Sequence, residues 1–356
     1  MATVGLVTLF EGLVALFEVF DLDQHAPSAL SHWSGVAAIL SAREDSTRVT
    51  DLTRELQYTM YHCTFGVPTS PGLWRSIEDN KSRNLKFPGS DHTPEHIHSM
   101  RHATYLSHTW LPRLVTYVRG LREGQWAPQS QQQTVQLAAR LLCLGDDASE
   151  DMLFHQVRVV KTTDQADRQI VPCSFLFDSA EQCSTAVMYW ITRLEVSNLC
   201  IQITAMLLPE EHNFDIALLR QAQSRTCCNL LMSRQYAMSR RAVPALSRAL
   251  AIFTIWQALK ARKSFRKLPI SEVRCWMLSR LDQDMVCYAG GGTGHDLDVA
   301  SDMLVGGPLR NSTSSGAQGT IVDTESLLRT REQGLIVSRR PSSSYAVAVG
   351  EVLCGL

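Results

Sequence analysis

The sequence predicts an all-α protein, and three observations support this fold class. Apolar residues recur every three or four positions in long stretches, most regularly over residues 179–208. Neither the pattern of β-hairpins nor an alternation of strands with helices is found, which argues against a sheet protein. Apolar residues make up 45% of the 356 positions and charged residues 19%, so a large buried core is expected. We predict a multi-helix bundle followed by a disordered C-terminal tail.

The N-terminal residues predict two helices joined by a short break. Leu9, Leu13 and Phe17 lie four residues apart and form one apolar stripe on the first helix. An acidic, proline-containing segment over 21–27 interrupts the helical pattern, and a second helix follows over 31–40. Because the second helix carries small residues, its partner can approach closely. The pair is predicted to form an αα-hairpin packed on itself.

Further helices are expected along the chain up to residue 287. Their predicted ranges are 51–65, 95–123 with a bend at Pro112, 131–144, 179–208, 214–241, 244–266 and 271–287. The helix that starts after Ser179 has the best defined ends, since Gln182 completes a capping-box pattern and Pro209 stops the helix. Gly145 is the predicted C-cap of the helix before it.

Two segments between these helices do not have a clear helical pattern. Cys173, Phe175 and Phe177 alternate with other residues, so an extended conformation is expected over 172–178. Residues 153–168 are compatible with a helix or with an excursion along the surface, and the sequence does not decide between them.

The composition changes after Tyr288. A glycine-rich run over 290–294 precedes clusters of Ser, Thr, Gly and Pro, which predict a mostly disordered tail with short ordered pieces. The run lacks both the P-loop pattern and the third glycine of G-x-G-x-x-G, so we interpret it as a flexible linker rather than a phosphate-binding loop. The predicted organisation is a helical domain over 1–288 and a tail over 289–356.

Charge and hydropathy argue against nucleic-acid and membrane binding. The chain holds 34 basic and 35 acidic residues, without the basic excess of a DNA-binding domain. Residues 2–20 are apolar but include Glu11 and Glu18, and no Lys or Arg precedes Arg43. A secretory signal needs a basic start and a membrane span needs a charge-free core, so a buried helix is expected there.

The ten cysteines predict neither a metal site nor a disulfide framework. They are Cys63, Cys143, Cys173, Cys183, Cys200, Cys227, Cys228, Cys275, Cys287 and Cys354. No two of them have C-x-x-C spacing, so a zinc ribbon, zinc finger or thioredoxin-type site cannot form locally. We expect reduced core thiols in the cytosol or nucleus, and no cofactor.

Histidines are concentrated between residues 92 and 108. His92, Glu95 and His96 formally match H-x-x-E-H, in which two histidines bind zinc and the glutamate activates water. Pro94 lies inside the motif and places His92 before the helix, so a helix start rich in histidine is the preferred interpretation. A metal-dependent hydrolase using these three residues is kept as an unlikely alternative. His98 and His102 have i, i+4 spacing and could bind zinc weakly.

Other polar clusters do not predict catalysis. The acidic clusters are interpreted as helix caps and surface charges; their members are Asp146, Asp147, Glu150, Asp151, Asp282 and Asp284. No G-x-S-x-G motif or recognisable Cys–His pair is present, so the protein is not expected to be an enzyme. No catalytic, cofactor-binding, DNA-binding or metal-binding residue is predicted.

A basic run follows one of the predicted helices. It comprises Lys260, Arg262, Lys263, Arg266 and Lys267. Favourable charge near a helix C-terminus, a nuclear-import patch and a phosphate-binding patch all remain open as interpretations.

Several stretches also resemble a known family. Near the N-terminus the matching residues are Phe17 to Phe20, Trp33, Gly35, Ala37, Ala38 and Leu40. Residues 172–179 then match P-x-S-F-x-F-x-S, and 188–194 carry Y-W-x-x-R-L. A helix over 214–238 with Cys228, Met232, Ser233 and Tyr236, and another over 244–256, complete the series. In order and spacing these stretches resemble the helical regulatory region of fungal zinc-cluster transcription regulators.

The resemblance implies a nuclear transcription regulator of metabolic or secondary-metabolite genes. Its partners would be the transcription machinery, a DNA-binding factor, a homodimer mate or a small effector. None of the ten cysteines has the spacing of the family's Zn2Cys6 module, so no zinc ligand or DNA-reading residue carries over. A co-regulator without direct DNA contact is therefore expected, and a non-catalytic interaction scaffold is the alternative.

Overall fold

The computed structural model describes residues 93–124, 128–243, 245–285 and 294–307, which all belong to one compact unit. Of the described residues, 75% are helical, which confirms the predicted all-α class. The predicted N-terminal hairpin, the helix over 51–65 and the tail beyond residue 307 lie outside the described residues.

The described part of the chain contains nine α-helices, one short 3₁₀-helix (Pro209–Glu211) and two short antiparallel strand pairs. In order they are α1 (Glu95–Arg122), α2 (Pro128–Cys143), α3 (Asp147–Gln156), β1 (Arg158–Lys161), α4 (Gln165–Ile170), β2 (Cys173–Leu176), α5 (Ala180–Met206), α6 (Ile216–Ser239), α7 (Ala245–Leu259), β3 (Ser264–Phe265), β4 (Leu268–Pro269), α8 (Ile270–Met285) and α9 (Gly294–Met303).

Helix α5 is the centre of the bundle. Of its 27 residues 18 are buried, so burial extends around the helix instead of following one stripe. It packs against α1, α2, α6 and α7. A helix that is apolar on all sides is expected to be enclosed by others, and the apolar residues of the 179–208 stretch explain this position.

Helices α1 and α5 run parallel in a constant register. Arg101 Nε donates to Thr185 Oγ1 at 3.0 Å, and seven residues further along both helices His108 Nε2 lies 2.6 Å from Thr192 Oγ1. The equal spacing on both helices fixes their direction. Helix α1 is assigned without interruption through Pro112, which the sequence analysis expected to bend it.

The start of α5 confirms the predicted N-cap and corrects the capping box. Ser179 Oγ accepts a hydrogen bond from the Gln182 N–H at 3.0 Å. The Gln182 side chain, however, accepts from the N–H of Asp178 at 3.0 Å instead of from Ser179. The first bond satisfies one of the N–H groups at the start of α5 that have no partner within the helix. The second bond fixes the backbone of Asp178, the residue before the N-cap.

Gly145 has a different role from the predicted C-cap. Helix α2 ends at Cys143, and Gly145 is not among the glycines with positive φ. A Cβ atom on Gly145 would lie 2.5 Å from the guanidinium carbon of Arg193. Arg193 Nη1 donates to the carbonyl oxygens of Leu141 at 3.2 Å and Leu142 at 2.9 Å. Glycine therefore leaves room for an arginine of α5 that caps α2.

The segment that the sequence left open, 153–168, contains the end of α3, strand β1 and the start of α4. Strand β1 pairs antiparallel with β2, with Val159 opposite Phe175. Strand β2 confirms the extended conformation predicted for residues 172–178. Within it Ser174 and Phe175 are buried, so the short pair covers one side of the bundle.

The predicted helix over 244–266 ends at Leu259 instead. The residues that follow are mostly charged and supply only one large apolar side chain, Phe265, which is buried in β3. A continued helix would offer the core no apolar stripe. The chain reverses direction instead through the antiparallel pair β3–β4, where Phe265 lies opposite Leu268.

Helix α9 is an ordered piece beyond the predicted domain boundary at residue 288. It packs against α7, and the Trp256 indole N–H donates to Asp298 Oδ1 at 2.6 Å. Beyond its end, Gly306 has a φ of +73°, and a Cβ there would lie 2.7 Å from the backbone nitrogen of Arg119 in α1. This close approach requires glycine.

Of the helices described, none combines the length and the apolar character needed to cross a bilayer.

Candidate functional site

The histidine-rich segment is divided between surface and core. Helix α1 begins at Glu95 with Pro94 at its N-cap, so H-x-x-E-H spans a helix start and not a helix interior. Glu95 is exposed, whereas His96 is 4% exposed. His92 lies outside the described residues. In the part of the chain that the structure describes, no group of three His, Cys, Asp or Glu side chains is placed to hold a metal.

The other histidines also differ in burial. His98 is half-buried and His102 is exposed, so the i, i+4 pair lies at the edge of the bundle. His108 is buried and contacts Thr192 of α5. A histidine in this position joins two core helices.

Asp146 is a helix cap, as predicted, but Glu150 is not a surface charge. Asp146 Oδ1 accepts from the Ser149 N–H at 2.9 Å at the start of α3. Glu150, one turn later, is 5% exposed. Its Oε1 accepts from the Trp190 indole N–H at 2.6 Å and from Asn229 Nδ2 at 3.2 Å. The partners are 40 and 79 residues away, so local sequence does not indicate this burial.

Glu150 joins α3, α5 and α6 through one carboxylate. Arg225 of α6 approaches its Oε2 at 3.4 Å from the solvent side. Burial raises the pKa of Glu150, and the positive charge of Arg225 and the Trp190 hydrogen bond oppose this rise. The Glu150 carboxylate therefore links three helices within the core, because side chains of α5 and α6 both contact the oxygen atoms of this α3 residue.

Asp284 was likewise expected at the surface and is buried instead. Its Oδ2 lies 2.7 Å from Arg234 Nη1, and its Oδ1 lies 2.7 Å from Arg248 Nε. The side chain of Asp284 has no exposed area, while Asp282 is exposed as predicted. The three charges connect α6, α7 and α8. Both carboxylate oxygens are paired, which is the condition for burying a charge.

Glu195 is a buried carboxyl that the sequence analysis did not identify. It lies in α5 at 1% exposure, and neither of its oxygens has a hydrogen-bond partner in the described part of the chain. Burial raises its pKa to about 8, so the carboxyl is mainly protonated at neutral pH. A charged residue inside an apolar helix was the available sequence clue.

The buried cysteines behave as core residues. Cys183, Cys200 and Cys227 are free and buried, which agrees with the prediction of reduced core thiols. Burial raises the pKa of the Cys183 and Cys200 thiols to about 12 and that of Cys227 further. Such thiols are not nucleophiles at neutral pH.

The aromatic residues of three separate motifs meet at one place in the core. Phe175 of the P-x-S-F-x-F-x-S stretch lies 5.9 Å from the ring of Trp190 in Y-W-x-x-R-L. Phe177 lies 5.3 Å from Tyr236 of α6 in an edge-to-face arrangement. Phe175 and Phe177 lie 6.0 Å apart and join the two contacts. We call these four residues the aromatic cluster.

The strongest candidate for a functional surface is the basic run, here called the basic hairpin (residues 260–269). It contains five Lys or Arg residues and no acidic residue. Lys260 Nζ pairs with Asp302 of α9 at 2.7 Å, and Arg262 Nη1 donates to Ser224 Oγ of α6 at 2.9 Å. Lys263 and Lys267 are exposed. The hairpin therefore has a fixed base and a charged tip.

The turn of the basic hairpin has an unusual backbone. Arg266 and Lys267, the two residues between β3 and β4, have φ values of 49° and 69°. Two-residue hairpin turns need this left-handed conformation, and Asn-Gly is the sequence that normally supplies it. Each long side chain in that region costs about 1–2 kcal/mol. Strain of this kind concentrates at functional positions.

A second exposed surface, here called the acidic corner (residues 208–218), connects α5 to α6. It carries Glu210, Glu211 and Asp215 and no Lys or Arg. It also carries three exposed large apolar side chains, which are Leu208, Ile216 and Leu218. The sequence of this segment predicts no functional role, because its apolar residues continue the helical patterns of 179–208 and 214–241.

Comparison with known proteins gives no relative: no family model, curated protein or solved structure matches this chain.

Proposed function

We propose that this chain is a transcription regulator or co-regulator that acts through protein contacts made by its helical domain. It resembles the regulatory region of fungal zinc-cluster factors, and it carries no cysteine spacing for their DNA-binding module. The proposed targets are metabolic or secondary-metabolite genes. The proposed location is the nucleus.

The aromatic cluster is the observation that supports this proposal most. Its residues belong to stretches at 172–179, 188–194 and 214–238, each of which resembles the family in sequence. These residues are far apart in the sequence, and the fold brings them into contact. Phe175, Phe177, Trp190 and Tyr236 form one packed group, as expected if the three patterns describe a common core.

The other motif residues have packing roles as well. Arg193, the arginine of Y-W-x-x-R-L, caps α2 through two carbonyl oxygens. Leu194 and Met232 have no exposed area. The motifs thus account for the scaffold, and the partner contacts of the proposed function belong to surfaces such as the basic hairpin.

In the proposed mechanism the exposed cations of the basic hairpin mediate nuclear import. Clustered Lys and Arg on an exposed segment are the chemistry that import receptors recognise. Arg262 and Lys260 are held by Ser224 and Asp302, so Lys263 and Lys267 are the cations to change.

Localisation and transcript measurements test the proposal. The full chain fused to a fluorescent protein is expected in the nucleus, and deletion of its gene is expected to change a defined set of transcripts. The double variant with Lys263→Glu and Lys267→Glu reverses two charges and is expected to shift the fusion toward the cytoplasm. The matched control is Arg158→Glu with Lys161→Glu on exposed β1, which makes the same charge change elsewhere.

Two results would reject the function. One is a fusion that stays outside the nucleus together with unchanged transcripts after deletion. That outcome would favour the interaction scaffold. The other result that would reject the regulatory function is a protein that lies in the nucleus but co-purifies with no nuclear partner and alters no transcript.

A further inference from the structure

The acidic corner exposes more apolar surface than any other short segment described. Five large apolar side chains are exposed in the described residues, and three of them lie in this corner. Leu208 is 59% exposed, Ile216 39% and Leu218 62%. Single exposed apolar residues are normal on a monomer, but three within eleven positions indicate an interaction surface.

The acidic corner is preformed. Glu211 Oε2 accepts from the Leu208 N–H at 2.7 Å, and Asp215 Oδ1 accepts from the N–H groups of Ala217 at 2.9 Å and Leu218 at 3.1 Å. These bonds fix the backbone on both sides of the turn. A surface that is already ordered loses little conformational entropy when it binds a partner.

The basic hairpin is the complement of the acidic corner in charge. The corner has three acidic residues and no Lys or Arg, while residues 260–267 hold five Lys or Arg and no acidic residue. An apolar centre with charged residues at its edge is the usual composition of a protein interface. Charge complementarity selects the partner and the orientation of such an interface.

Both surfaces lie beside the first turns of α6. Arg262, at the base of the hairpin, donates to Ser224. Ser224 is six residues beyond Leu218, which is roughly 9 Å along the helix axis. The contact with Ser224 therefore brings the base of the basic hairpin within about two turns of α6 from the acidic corner. A twofold axis between neighbouring patches brings each patch of one copy against the opposite patch of the other.

We propose that two copies of this chain associate about such an axis, with the acidic corner of each copy against the basic hairpin of the other. The apolar side chains of the corner form the buried centre, and Lys263 and Lys267 face Glu210 of the partner copy. The left-handed turn at Arg266 and Lys267 holds the charged tip in this position. The proposal concerns the isolated protein and does not depend on a role in transcription. Because the dimer pairs Lys263 and Lys267 with the partner copy, import through these two lysines would be a property of the monomer.

Sedimentation velocity of the full chain over a range of concentrations tests the proposal. We expect a monomer–dimer equilibrium whose dissociation constant rises with salt, since the contacts at the edge are between exposed charges. Leu218→Glu is expected to raise the dissociation constant about tenfold or more, because it places a charge in the apolar centre. The control Val159→Glu changes an apolar residue on β1 that is 50% exposed, and it is expected to leave the dissociation constant unchanged.

Swapping the opposite charges of Glu210 and Lys263 by substitution tests which two surfaces are in contact. Glu210→Lys alone and Lys263→Glu alone are each expected to weaken the dimer, and the double variant is expected to recover most of the loss. Glu210 is chosen because Glu211 and Asp215 form the caps, so both caps stay intact. Circular dichroism confirms that each variant is folded.

A protein that is monomeric at every concentration overturns the proposal. A dimer that tolerates Leu218→Glu overturns it too, since its interface then lies elsewhere. Single charge reversals that weaken the dimer without recovery in the double variant contradict the pairing of corner and hairpin.

Discussion

At the scale of single residues, burial in the apolar centre of the bundle determines the protonation of Glu195. It occupies α5 between residues that are themselves buried, and its carboxyl has no partner in the described part of the chain. Removing a carboxylate from water without a partner disfavours its charged form. The folded protein therefore holds a proton there up to a pH of about 8.

This proton makes the stability dependent on pH. An unfolded glutamate releases its proton near pH 4.3, whereas folded Glu195 releases it near 8. Between these values the folded state binds more protons, so the free energy of unfolding falls as pH rises through this window. Its contribution to that fall is on the order of 5 kcal/mol.

The variant Glu195→Gln removes the titration with little change of shape. We expect urea unfolding to show that its stability relative to the natural protein increases steadily from pH 5 to pH 8. Above that window the difference is expected to be constant. Parallel stability curves for the two proteins over this range would show that Glu195 is hydrated or paired.

Asp284 tests the opposite case, a buried charge with partners. We expect Asp284→Ala to cost about 3–5 kcal/mol, because the buried Arg234 and the partly buried Arg248 would then lack their anion. Asp282→Ala, two residues away and exposed, is expected to change stability by less than about 0.5 kcal/mol. Equal losses from the two variants, measured by urea unfolding, would contradict the ion triad.

At the scale of the elements, the basic hairpin stores strain that a substitution can release. Lys267 has a φ of 69°, which glycine adopts without a steric penalty. Lys267→Gly is therefore expected to stabilise the folded protein by roughly 0.5–1 kcal/mol, after the larger entropy of the unfolded chain is included. The control is Lys263→Gly, outside the positive-φ pair, and it is expected to give no gain. Thermal unfolding of both variants decides the point, and a loss at residue 267 would contradict the strain.

The ends of some helices can be predicted from local sequence, whereas the ends of others and the pairing of the strands cannot. Ser179 and Pro209 correctly bracket α5, because caps and prolines act within a few residues. The end of α7 was placed too late, since the change from helix to β3 depends on where Phe265 finds the core. The short strands were missed as a pair for a similar reason, because β1 pairs with β2 across α4 and the sequence of neither strand indicates its partner.

At the scale of the whole molecule, the all-α class followed from periodicity, but the buried charges did not. Glu150 and Asp284 are acidic residues in polar stretches, and their partners lie at least 36 residues away along the chain. No local pattern identifies such pairs. The candidate surfaces divide in the same way: the composition of the basic hairpin was visible in the sequence, whereas the exposure of Leu208 and Leu218 was visible only after folding.

The proposed regulatory role is argued from motifs that the fold brings together and from charged surfaces that the fold exposes. Four motif residues meet in the aromatic cluster, and the basic hairpin and acidic corner lie beside the first turns of α6. The central claim is that this bundle influences transcription by binding other proteins. A measurement that supplies DNA binding from another source tests that claim separately from import and from dimer formation.

The most direct measurement joins the full chain to an unrelated DNA-binding module that enters the nucleus by itself, and records expression of a reporter gene that carries its sites. We expect reporter expression to change relative to the module alone. We also expect Trp190→Ala, which removes one end of the aromatic cluster, to abolish the change and Val159→Glu to preserve it. Reporter expression equal to that of the module alone, at matched protein levels, would contradict a role in transcription.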